Sequence, residues 1–324
     1  MPDAVTSGSP IARRLNSPRI SWRQNITYLG FLGIFLFFAV TLHDRGFLET
    51  TNLLNIVRQT AVIAVMAVAM TFVLSAGEID LSIGALAGLA AVTTALAIDF
   101  GGPVAGALGG IATGLAVGLV NGLITTRIGI PSFLTTLAMM GIARGVAMWV
   151  SDTRSIPIVD RTFPAIFGGG DVGPVPTLLL WTVAFGAAGH LALRRTTFGR
   201  KVLATGGNEV ASRYTGIDTR SVKLRVLLVS GVAAGVAGML YAGRLHSGRF
   251  QFGEGDELSV IAAAVLGGTS LFGGKGTVVG SIVGALMIGL INNGLILMGL
   301  EFSQQLIARG VIIILAVAIS QARR

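Results

Sequence analysis

Long apolar runs recur along the chain, separated by short polar breaks. They fall at roughly 26–42, 53–76, 81–98, 103–126, 132–150, 177–193, 224–243, 257–272, 277–298 and 302–320. Runs of this length suit helices that cross a hydrocarbon core of about 30 Å. The pattern predicts an all-α polytopic membrane protein with about ten transmembrane helices. Residues 1–25 are expected as a cytoplasmic N-terminal tail, 26–320 as the transmembrane domain and 321–324 as a short cytoplasmic tail. The N-terminus shows no cleavable signal pattern.

The polar breaks set the orientation. The expected inner side collects sixteen basic residues, among them Arg13, Arg14, Arg127, Arg200, Lys201, Arg213, Lys223 and Lys275. The outer side collects Arg45, Arg154, Arg161, Arg244 and Arg249. Basic loops stay cytoplasmic, so both termini are expected there. Composition agrees with a membrane chain. Hydrophobic residues make up 52% and charged residues 12%, about half the soluble average. A net charge of +9 would suggest nucleic acid in a soluble protein. Here it is explained by topology, and no nucleic-acid partner is expected. The absence of cysteine excludes disulfides and thiolate chemistry. The three scattered histidines give no metal-ligand spacing.

An internal repeat is visible. Gly118–Ile124 reads GLVNGLI and Gly289–Ile296 reads GLINNGLI; IARG recurs at Ile142–Gly145 and Ile307–Gly310. GEIDLSIGA at Gly77–Ala85 resembles GDELSVIA at Gly255–Ala262. Repeat units of roughly 53–150 and 224–320 would begin on opposite sides of the membrane. That is an inverted-topology repeat, which places a pathway at the repeat interface.

The longest polar interval, 194–223, is basic and lies between spans. Asn208 can cap a short helix, Glu209 suits its first turn, and Gly216 can stop it. Such a helix could hand force from a soluble partner to the membrane, or it could be a solvated loop that only sets topology. Other polar residues interrupt the spans. Glu78, Asp80 and Ser82 form a helix break that is either a plain inner turn or a segment lining a pathway. No nucleophile or metal cluster accompanies these carboxylates, so catalytic residues are expected to be none. Asn121, Asn292 and Asn293 could bind substrate hydroxyls or tie helices together. Arg144 and Arg309 are expected to pair with carbonyls or acids near the outer surface. The glycine-rich run 267–276 ends Gly-Lys-Gly and lacks the Walker pattern, so this chain is not expected to bind ATP. Its glycines suit a tight inner turn.

These residues resemble the permease subunits of ribose/galactoside-type ABC sugar importers, a group related to branched-chain amino-acid permeases. The resemblance rests on Glu78-Ile79-Asp80-Leu81-Ser82-Ile83-Gly84, on Gly206-Gly207-Asn208-Glu209-Val210-Ala211 with Gly216-Ile217, on Ala263–Ser270, and on Gly273–Gly276 with Asn292–Leu295. It implies a bacterial inner-membrane subunit that translocates a monosaccharide or related polyol. Two ABC ATPase subunits would carry ATP and Mg, with no cofactor bound by this chain. A periplasmic substrate-binding protein and a second permease copy, in a homodimer or related heterodimer, complete the expected set. By matching motif positions, Gly207, Asn208, Glu209, Ala211, Ser212, Arg213 and Gly216 would be the ATPase-coupling residues. Glu78, Asp80, Ser82, Asn121, Asn292 and Asn293 would belong to the translocation pathway. The outer segments 151–176 and 244–257 would dock the binding protein through Asp152, Asp160, Arg244, Arg249 and Glu254. Glu78 departs from many relatives, which carry a less acidic residue there. Permeases for other small polar solutes and ion-coupled secondary transporters remain the competing readings.

Overall fold

The computed structural model describes residues 22–321. Most of the expected cytoplasmic tails, 1–21 and 322–324, and the side chain of Arg309 lie outside the described residues. The chain is dominated by helices: α1 Trp22–Thr41, α2 Thr50–Ser75, α3 Ile83–Leu123, α4 Ser132–Val150, α5 Thr162–Phe167, α6 Thr177–Arg195, α7 Thr197–Gly207, α8 Glu209–Tyr214, α9 Thr219–Leu245, α10 Asp256–Leu266, α11 Val278–Leu297 and α12 Phe302–Gln321. Among the described residues, six helices are long and apolar enough to cross a membrane.

Helix α2 is the centre of the bundle. Its stretch Thr60–Ser75 is almost wholly apolar and is buried throughout. A stretch with no polar face is buried in protein or in lipid, and here α2 contacts α6, α9, α10 and α11.

The 41 residues of α3 would rise about 60 Å if straight, twice the hydrocarbon thickness. The helix instead reverses at Gly101 and Gly102, just before Pro103. Gly102 has φ 73° and ψ −167°, a conformation open to glycine alone. The halves then run antiparallel, with the Thr93 and Thr113 hydroxyls 2.8 Å apart. The two apolar runs expected at 81–98 and 103–126 are these halves.

Glycines also join α3 to α9. Gly106, Gly110, Gly114, Gly118 and Gly122 recur every fourth residue, and the last four lie along α9. A Cβ placed on Gly114 would sit 3.0 Å from Gly235 Cα and closer still to the Gly231 carbonyl. Without side chains between them the two backbones touch, the small-residue packing typical of membrane helices.

Within the run 257–272 the helix itself is short: α10 has 11 residues, a rise of about 16 Å. Gly267 closes it, Gly268 takes φ 92°, and the remaining residues to Gly276 form a turn. In the basic interval 194–223, α7 joins the expected short helix α8, and together they occupy most of it. Thr196 caps α7, its hydroxyl accepting from Gly199 N at 3.2 Å.

The segments expected to be outer loops meet each other. Strand β1 (Ile156–Pro157) pairs with β4 (Ser247–Gly248), and Asp171–Val172 pairs with Val175–Pro176 in a separate two-residue hairpin, β2–β3. Phe163, Phe167 and Trp181 stack in series beneath this platform. Arg58, at the start of α2, bonds Asp171 at 2.8 Å.

Candidate functional site

The end of the molecule opposite the platform gathers the motifs that were far apart in sequence. Ser75, at the end of α2, accepts from Gly274 N at 3.0 Å through its carbonyl. A Cβ on Gly274 would come within 2.9 Å of Gly207 Cα. The Gly206-Gly207 pair and the Gly273-Gly274 pair therefore meet backbone to backbone, which a side chain at Gly206 or Gly273 would prevent.

Helix α8 begins here as its cap residue dictates. Asn208 Oδ1 accepts from Ala211 N at 2.9 Å, satisfying an amide that the first turn leaves open. Gly216, at φ 82°, lets the chain leave the helix, and Ile217 N returns to the Ser212 carbonyl at 3.0 Å. Ser212 faces inward, whereas Val210 and Tyr214 are 62% and 89% exposed. The helix thus presents an exposed apolar and aromatic face.

Its other face is held by charge. Glu209 bonds Arg213, Thr219 and Lys223, the last at 2.8 Å. Lys223 in turn reaches Glu78 at 2.7 Å. Burial alone would raise the Glu209 carboxyl. Lys223, through hydrogen bond and charge, together with Arg213 and Thr219, outweighs this and holds it below its ordinary value of 4.5. A carboxyl depressed in the folded chain contributes stability above its unfolded value, and that contribution disappears as pH falls through the folded value. The anchoring of α8 is therefore expected to be intact at neutral pH and to weaken only in acid, below about pH 4.5. Hydrogen-exchange protection factors for residues 209–217 measure this; loss of protection already near neutrality would contradict it.

Behind the ion pairs lies a second, fully buried node. Asp80 Oδ1 accepts from Ser82 N at 2.8 Å and from the Ser82 hydroxyl at 2.6 Å. Its Oδ2 accepts from Ser230 at 2.6 Å, and Asn121 Nδ2 donates to Ser82 Oγ at 3.0 Å. The carboxylate sits at the positive end of α3 and satisfies an amide there. Asn293 exchanges two hydrogen bonds with Asn52, at 2.8 and 3.1 Å. In the single chain these are ties between elements. Glu78, Asp80, Ser82, Asn121 and Asn293 are thus each held by a side-chain partner.

Asn292 differs. It lines a cavity of about 220 Å³ with Gln59, Thr60, Tyr241, Arg244 and Asp256. Tyr241 donates to Asp256 across this space. Of the expected docking residues, Arg244 therefore forms cavity wall, and its guanidinium donates to the Arg58 carbonyl at 3.3 Å. The others belong to the platform end. Asp152 pairs with Arg154 at 3.3 Å, Arg249 donates to Ser155 at 3.0 Å, and Glu254 pairs with Arg144 at 2.9 Å. Asp160 accepts from Phe163 N, in the first turn of α5, at 2.6 Å. The pairing expected for Arg144 is thus present. Lys223, Ser230 and Tyr241 are components that the sequence did not single out. Lys223 counted there only as one basic residue among many.

A family described as branched-chain amino acid transport system, permease component, matches residues 52–317. The chain belongs to this permease family. The match covers every element of the two nodes and the platform. The chain is 39% identical over 297 residues to the probable ABC transporter permease protein YphD of Escherichia coli, covering 91% of this chain and 89% of the relative. It is 39% identical over 296 residues to the ribose import permease protein RbsC of Bacillus subtilis, with coverage of 90% and 92%. Similarity to the L-arabinose transport system permease protein AraH of Escherichia coli is 35% over 320 residues, covering 98% and 96%.

Proposed function

We propose that this permease-family chain is the membrane-spanning subunit of an ATP-binding cassette importer for a monosaccharide. The observation that carries the reading is α8, a capped helix locked to the bundle by Glu209 and Lys223 with Val210 and Tyr214 left exposed. Its shape and anchoring suit transmission of movement from a soluble subunit. The substrate class follows from near-full-length similarity to ribose and L-arabinose permeases. The chain is a transport subunit and not an enzyme. Two ATPase subunits would bind Mg-ATP and seat on α8, at Gly207 to Gly216. A periplasmic binding protein would dock on the platform end, with Asp152, Asp160, Arg249 and Glu254 near its footprint and Arg244 and Asn292 below it. A second permease copy, identical or related, would complete the complex in the bacterial inner membrane.

Ten spans with both termini cytoplasmic suit the element order. The folded α3 counts as two spans, and α10 with the turn after it counts as one. The inverted repeat has support of the same kind. The order α2, break 76–82, two halves of α3, α4 parallels α9, break 246–255, α10, α11, α12.

Purification of the tagged chain from its native membrane in mild detergent tests the reading. A Walker-type ATPase is expected in comparable amount. Glu209→Arg would place a third cation beside Arg213 and Lys223 and is expected to lower that recovery while the permease still inserts. Recovery of the permease alone with uptake intact, and uptake abolished by collapsing ion gradients, would replace the importer by a secondary transporter.

A further inference from the structure

We propose that Lys223 is a positioning residue that passes displacement of α8 to the 76–82 segment and through it to α4. The inference rests on α8 being the ATPase seat. Lys223 is on α9, but its ammonium lies between two carboxylates of other elements. Glu209 Oε2 of α8 is 2.8 Å away and Glu78 Oε1 is 2.7 Å away. The Glu78 side chain is 7% exposed and that of Lys223 is 20% exposed, so water screens the contact weakly.

The next residues of the 76–82 segment are clamped to α4. Ile79 N donates to Ser132 Oγ at 3.1 Å and Leu81 N donates to Thr136 Oγ1 at 3.0 Å. The Thr136 hydroxyl also lies 3.3 Å from the Ile79 carbonyl. A polar chain therefore runs from α8 through one ammonium to Glu78, along two residues of backbone, and into α4. Contact between Glu209 and Glu78 without Lys223 would be repulsive, so the ammonium is what joins them. The opposite face of α4 is open: Leu134, Leu137, Ile142 and Trp149 are exposed. Movement delivered at Ser132 and Thr136 has room to proceed.

Geometry alone does not establish coupling between sites, and a double-mutant cycle does. The test uses the whole complex in proteoliposomes, with Lys223→Met, Glu78→Gln, their combination and Lys223→Arg. The chain has no cysteine, so Leu137→Cys places one nitroxide on α4 of each copy of this chain. Lys223→Met and Glu78→Gln are each expected to lower solute taken up per ATP hydrolysed by about tenfold, within the usual range of coupling between sites. The double variant should be no worse than either single one, and Lys223→Arg should keep most of the ratio. The nitroxide spectrum should change with ATP in the parent and not in Lys223→Met.

Lys223→Met that retains both the uptake ratio and the spectral change would overturn the proposal, as would additive losses in the double variant. If Lys223→Met does not accumulate, Glu78→Gln gives the same reading while the Glu209–Lys223 pair stays in place. Failure of an ATPase to co-purify with the unmodified chain would remove the importer reading and this inference together. Co-purification with an unchanged uptake ratio in Glu78→Gln would remove this inference alone.

Discussion

Gly114→Leu is expected to abolish recovery of monodisperse protein. The added Cβ would lie inside the contact distance of the Gly231 carbonyl and 3.0 Å from Gly235 Cα. Both neighbours are backbone, so no rotamer change on α9 can make room. The clash must push α3 and α9 apart or bend one of them. Overpacking of a closed core costs about 1–3 kcal/mol even where side chains can adjust. Here they cannot, and separation would also open the contacts at Gly118 and Gly110. Gly33→Leu is the control, because nothing lies within 4 Å of the Cβ position there. Size-exclusion profiles in detergent distinguish the two. A monodisperse peak for Gly114→Leu at parental yield would mean that the α3–α9 contact is not as close as described.

Asp80→Ala is expected to lower the thermal midpoint more than any neutral substitution in the 76–82 segment. The side chain accepts three hydrogen bonds, from Ser82 N, Ser82 Oγ and Ser230 Oγ, and is 1% exposed. Its removal leaves three buried donors without that acceptor. At about 1–3 kcal/mol for each unsatisfied group, a loss of roughly 3 kcal/mol or more follows. Asp80→Asn keeps the size and part of the acceptor capacity, so it should lose less. Unfolding followed by scattering and intrinsic fluorescence in detergent provides the comparison. Equal midpoints for Asp80→Ala and the parent would show that the node carries no stability.

The parts legible in the sequence were those governed by local rules. Asn208 caps α8 because a side-chain oxygen can reach an amide only three residues on, and that distance is fixed by the helix itself. The break between the runs 81–98 and 103–126 is of the same kind. The apolar runs marked the long helices because a bilayer imposes a length. What the sequence concealed depended on partners distant along the chain. Lys223 lies among basic residues that all suit a cytoplasmic end, and no local signal sets it apart as the one between Glu78 and Glu209. The polarity of Asp80, Ser82 and Asn121 left a lined path and a turn or helix tie both open, since a polar residue in a span must face something. It could not show that they face each other. The apolar run 257–272 hid the end of α10, because hydropathy does not register the positive φ of Gly268.

The glycine contact between α3 and α9 has a mechanical consequence. Two helices in backbone contact over several turns resist sliding, since each carbonyl sits in a recess of the other backbone. They form a stiff beam through the molecule. A cycle that exposes a solute first to one side and then to the other must then flex elsewhere, where side chains bridge the elements and can change rotamer. The rim of the bundle, α4 above all, would swing while the beam keeps its shape.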